Sequence, residues 1–194
     1  MRYIRRVPSP SDHGSSQYSV LTTARRTAAL VNALADDRPA PADVADVLRA
    51  YGEPDPVELT TADVAAMRTA ASLLREVFAA EDADGAATTL NRLLRDHTGP
   101  LRLTSHGGGT PWHPHLDSDD DAPWDEWLLA SSCMALTVLV WDRQRPPGRI
   151  CASPSCGNVF ITPGSGPERR YCSRRCATRE RVAAHRRSRA VGPR

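Results

Sequence analysis

Apolar positions recur at helical spacing through the first half of the chain, and polar breakers separate the runs. From Thr22 or Thr23, Leu30, Val31 and Leu34 share one face until the segment DDRPAP interrupts it. PADVADVLRAYGEP places Val44, Val47 and Leu48 together, with Gly52 and Pro54 ending the turn. The longest stripe, Val64, Met67, Ala71, Leu74 and Phe78, starts behind a Thr cap with Asp63 in the first turn. A fourth helix carries Leu90, Leu93 and Leu94 inward, with Gly99 expected as its stop. The period then changes: PLRLTSHGGGTPWHPHLD alternates around Gly107, Gly108 and Gly109, which predicts a hairpin. PWDEWLLASSCMALTVLVWDRQ returns to helix, apolar over most of its surface and therefore expected at the centre.

Two stretches fall outside this pattern. Residues 1–18 mix Pro, Ser, Gly and Arg without period and are expected to form a mobile tail. RPPG at 145–148 has the composition of a linker. The expected fold is mainly α with a small β-hairpin, an α+β N-terminal domain over residues 19–144 with its hairpin at about 100–116. A second, smaller unit follows over residues 149–190.

Charge sharpens that division. Residues 1–142 hold 12 arginines against 21 carboxylates, a balance of −9, whereas residues 143–194 hold 13 against 2, a balance of +11. Lysine is absent, which together with abundant Ala, Pro and Asp fits a GC-rich genome as well as design. The longest apolar run, MALTVLVW, is far shorter than the ~20 residues of a membrane span, so no membrane association is expected. Arg25-Arg26 before TAALVNALA resembles the start of an export signal, but Asn32 and Asp36-Asp37 interrupt it, and a cytoplasmic protein is expected.

Four of the five cysteines lie in the basic unit as Cys151-x4-Cys156 and Cys172-x3-Cys176. Two close thiol pairs in a reducing compartment suit one tetrahedral Zn2+ with no open position, a structural site. Iron clusters use other spacings, and neither pair has the C-x-x-C spacing of redox motifs. Between the pairs only Val159, Phe160, Ile161 and Tyr171 are available to bury, so an ion is expected to supply the core. Cys133, among Leu128, Leu129, Leu136 and Val140, reads as a small buried residue.

After Cys172 a helix free of Gly and Pro can run to about Ala190. On a helical wheel Cys172, Cys176, Ala183 and Ala190 fall within ~40° of one another, and the arginines occupy an arc of roughly 160° opposite. Arg174, Arg175, Arg179, Arg181, Arg186 and Arg187 are the candidates for phosphate or base contact with DNA. The competing readings are a solvated charged face and an acidic protein surface, including this chain's own N-terminal domain.

The C-terminal segment resembles the CGNR zinc finger through ICASPSCGNVF, RRYCS and a basic helix with RVAAHR. That module ends bacterial proteins carrying the helical ABATE domain, described as stress-induced transcription regulators. The position that names the family reads Cys176-Ala177-Thr178-Arg179 here, so the ligand cysteine and the arginine are kept and the Gly-Asn pair is not. The resemblance implies DNA binding and transcription regulation in a bacterial cytoplasm. For the N-terminal domain it implies only the general order of helices, late hairpin and a helix leading into the finger.

Outside the finger, Arg102, Trp112, His113, His115, Trp124 and Trp127 are the candidates for a ligand pocket, in a cluster that also contains His106. On a hairpin, Trp112 and Pro114 face one side and His113 and His115 the other, and that histidine pair could chelate a metal or hold an acidic effector. The plainer expectation is that the tryptophans fill the seam between hairpin and helix and the histidines are solvated. No catalytic motif is present, so no enzyme is expected. A specific DNA reader built on one short helix would use two copies, which suggests a homodimer. An adaptor docking an acidic partner, or an RNA-binding protein, are the alternatives.

Overall fold

The computed structural model describes residues 19–162 and 169–190. The expected N-terminal tail lies outside them. The fold is mainly helical with two small antiparallel strand pairs, in the order α1 (Val20–Ala33), α2 (Pro41–Ala50), α3 (Thr61–Ala79), α4 (Ala83–His97), β1 (Arg102–Thr104), β2 (His113–His115), α5 (Trp124–Arg143), β3 (Gly148–Ile150), β4 (Val159–Ile161) and α6 (Arg174–Ala190). No helix among the described residues is long and apolar enough to cross a membrane.

Local chemistry sets the helix starts. Ser19 accepts from the Thr22 amide, Asp82 accepts from Gly85, and Thr60 with Asp63 closes a reciprocal capping box at α3. α4 ends at Thr98. Gly99 follows at once, and its amide reaches the Leu116 carbonyl at 2.6 Å, tying the helix exit to the far side of the hairpin.

α5 is the central helix, packed by α1, α3 and α4, and Leu128, Cys133 and Leu136 on it are fully buried. Burial pushes the Cys133 thiol up to about 12, as a small inert core residue requires. Between α1 and α5 the buried Thr27 and Ser132 hydroxyls bond each other at 2.8 Å.

The junction at 145–148 differs from a linker. Pro146, Pro147 and Gly148 are buried, and Arg143 beside them donates to the Thr162 carbonyl at 2.7 Å. The strand pair β3–β4, in register Gly148 to Ile161 and Ile150 to Val159, lies against α1 and α3. Val159 belongs to the core of the helical domain, with Ile150 and Ile161 packed at its edge. The Asn32 side chain meets Val159 as a strand neighbour would, donating to its carbonyl at 2.9 Å and accepting from its amide at 2.7 Å. Arg75 donates to the Gly157 carbonyl at 2.6 Å. The finger is thus fastened to the helical body by backbone-directed hydrogen bonds from three helices.

Candidate metal centre and nucleic-acid interface

The four finger cysteines come from three places: Cys151 just after β3, Cys156 in the turn before β4, and Cys172 and Cys176 at the start of α6. All four sulfurs lie within 4.8 Å of one another. Cys172 Sγ stands 3.7 Å from both Cys156 Sγ and Cys176 Sγ. A disulfide would need ~2.05 Å. Four sulfurs at the usual ~2.3 Å from a tetrahedral zinc would lie about 3.8 Å apart, so the observed spacing fits an ion at the centre. Burial and the neighbouring thiols push the Cys172 thiol up to about 12, while the Ser173 hydroxyl brings Cys176 down to about 7.

Around the sulfurs sits a shell of donors. The Cys172 amide points at Cys151 Sγ at 3.5 Å, and Arg179 points at Cys176 Sγ at the same distance. Arg179 also donates to Ser153 at 2.7 Å, and Ser153 donates in turn to Glu180 at 2.6 Å. Phe160 is buried with Cys151 and Cys176, and Tyr171 packs beside them. Among the described residues these groups and the thiols form the finger's own core, while Val159 and Ile161, also expected there, pack with the helical domain. Ser173 caps α6 by accepting from the Cys176 amide at 3.3 Å, so the cap of the helix and the sulfur pair share one turn.

α6 turns Cys176, Ala177, Glu180 and Ala183 inward to different degrees and leaves Arg174, Arg175, Arg181, Arg186, Arg187 and Arg189 exposed. Among the described residues none of these six meets a carboxylate. Arg179 is the exception on the helix, since its guanidinium is turned to the sulfur cluster. Glu180, the helix's lone acid, is held inward by Ser153 and so leaves the outer face cationic.

None of the six candidate pocket residues lines either of two cavities that open along α1. Arg102 is bound by Asp117 at 2.6 Å and Asp120 at 2.7 Å. Trp112 is 72% exposed on the face of the hairpin that carries Leu103 and Pro114. Trp124 and Trp127 stack edge to face at 5.4 Å, with the Arg26 guanidinium 4.2 Å above Trp127. These two pack at the edge of the helical core, beside α1. His113 and His115 are half-buried rather than solvated, and they meet His106, a residue the alternation pattern could not place because it lies in the turn. Cavities of about 820 and 450 Å3 open elsewhere, along α1 where the finger docks.

Residues 20–142 match the ABATE family model, whose description is "Putative stress-induced transcription regulator". The chain belongs to the ABATE family. Residues 148–189 match the CGNR zinc finger, so the thiol cluster and α6 lie within one matched module. No curated protein matches the chain. Both families are described in regulatory or zinc-finger terms and neither as an enzyme. This ABATE protein is therefore a regulatory zinc-finger protein, with a cysteine cluster that could hold a metal.

Proposed function

We propose that this ABATE protein is a cytoplasmic, DNA-binding transcription regulator without catalytic activity. One structural zinc is held by Cys151, Cys156, Cys172 and Cys176, and α6 carries the contact surface. The observation that carries the reading is the exposed arginine face of α6, which lacks carboxylate partners among the described residues and is rooted in the thiol cluster. In the folded finger the ion supplies a fixed, closed four-sulfur node in place of an apolar core. The Cys172 amide and Arg179 offset the negative charge of the thiolates, which removes Arg179 from the contact set. The remaining arginines, Arg174, Arg175, Arg181, Arg186 and Arg187, face outward on a rod of about 26 Å, a length and width that a major groove admits. Guanidinium groups there can neutralise phosphates and pair bidentately with guanine. A single helix reads few bases, so two copies on paired half-sites are proposed, with the acidic helical domain supplying the dimer contact or binding an effector.

Titration of the full chain on genomic DNA fragments at several salt concentrations tests this. Binding is expected to weaken steeply with salt, and replacing Arg181 or Arg186 by Ala should each lower the log–log salt slope by about one. Absence of binding at low salt would favour the adaptor reading, in which α6 docks an acidic protein. Equal affinity for single-stranded RNA would favour an RNA-binding protein.

A further inference from the structure

The N-terminal domain carries a second group of potential metal ligands, in the hairpin and remote in sequence from the finger: His106, His113 and His115. Their ring nitrogens converge. His113 Nε2 lies 3.0 Å from His115 Nε2 and 3.2 Å from His106 Nε2, and the ring centroids are 4.8–5.1 Å apart. Three nitrogens at the usual ~2.0–2.1 Å from a tetrahedral zinc would be about 3.3 Å apart, close to the two separations from His113.

The outer nitrogens settle which atoms face inward. His115 Nδ1 meets both oxygens of Asp117 at 2.8 Å, and His113 Nδ1 meets the Pro111 carbonyl at 2.8 Å. His106 Nδ1 faces the Asp120 carboxylate at 3.4 Å. A carboxylate and a carbonyl only accept, so His115 and His113 each place a proton on Nδ1 and leave Nε2 turned toward the cluster. His113 Nε2 faces both neighbouring Nε2 atoms, at 3.0 and 3.2 Å, an arrangement that calls for a positive charge among the three nitrogens. A single proton can bridge only one pair of them; a metal ion serves all three.

The outer groups are themselves fixed. Asp117 is 2% exposed and is held by Arg102, and Asp120 accepts from both Arg102 and Thr104, so the loop after β2 is pinned behind the imidazoles. Carboxylates behind ligating histidines orient the rings and raise their basicity. His106 reaches the cluster with φ at 49°, a left-handed conformation that is costly for a residue with a side chain. Its amide is braced by the Thr104 hydroxyl at 3.0 Å.

We infer that His106, His113 and His115 form a second metal site, for a divalent transition ion of the zinc type. Imidazoles select such ions over magnesium or calcium. Unlike the finger, the site has only three protein ligands, lies at the surface and leaves a fourth position for water or an exchangeable ligand. The inference stands apart from the DNA reading, because neither the ligands nor their supports lie in the finger.

Zinc titration of full-length protein whose finger is already loaded tests it. A second equivalent is expected to bind per chain, to raise the melting temperature and to be withdrawn by a chelator that leaves the first in place. His106→Ala, in an exposed turn, and His113→Ala should each weaken the second site at least 100-fold and leave the first equivalent and DNA binding unchanged. Should a variant fold poorly, cobalt on the zinc-loaded wild type decides alone: the added ion should give d–d bands of a nitrogen and oxygen environment without new thiolate charge transfer. One equivalent in wild type, or a second equivalent retained in both variants, overturns the site. So does a second cobalt with thiolate bands.

Discussion

Gly148 shows how closely the finger is fitted to the helical body. A Cβ at this position would stand 2.6 Å from the Phe78 ring and press on the Phe160 carbonyl. Phe78 is itself buried in the core on α3, so it has nowhere to retreat. Gly148→Ala should therefore destabilise the chain by ~1–3 kcal/mol, the usual cost of overpacking, measured by urea denaturation. Zinc content should be unchanged, since the ligands are not moved. In the sequence this glycine follows two prolines and reads as part of a linker; its real constraint comes from a residue 70 positions earlier, which no local pattern reports. Arg179 has the same lesson. A wheel puts it on the cationic arc, but Ser153 and Cys176, brought close by the folding of the thiol cluster, draw its guanidinium inward. His106 was legible as a histidine near the others, but its membership in their cluster depends on a positive φ in a turn.

At the scale of elements, α1 to α4 were readable because each has an apolar stripe and, in α1, α3 and α4, a side-chain cap, and both signals are local. The strand pair β3–β4 was not, since three-residue strands beside Pro and Gly carry no period. What gives β4 its place is α1. Asn32, a polar residue in an apolar helix face, acts as the neighbouring strand for Val159 and satisfies both its amide and its carbonyl. Asn32→Ala would leave those two groups without that partner at the junction, at a cost of about 2–3 kcal/mol. Asn32→Asp should cost nearly as much, because a carboxylate accepts from the amide and cannot donate to the carbonyl. Hydrogen exchange should localise the loss to the Val159 amide and the β3–β4 pair; unchanged protection there would show that the docking rests on the apolar contacts alone.

The whole molecule joins an acidic helical domain to a cationic helix through a shared apolar core rather than a flexible tether. Val159 is 1% exposed inside the helical domain's cluster, while its neighbour Phe160 is buried against Cys151 and Cys176. Two adjacent residues of one strand thus belong to the two cores, so loosening the thiol cluster is expected to reach the helix packing. An autonomous finger would melt on its own and leave the helical domain's transition where it was. The arrangement seen here predicts otherwise. With metal withheld by a strong chelator, or in Cys172→Ser, the transition followed by tryptophan fluorescence should fall by about 5–10 °C, as each kcal/mol is worth about 2–4 °C at this chain length. The loaded wild type should show one transition by fluorescence and by far-ultraviolet dichroism alike. A tryptophan transition unmoved by metal removal would mean that the strand pair holds its place without the node, and that movement of the arginine helix is uncoupled from the domain behind it.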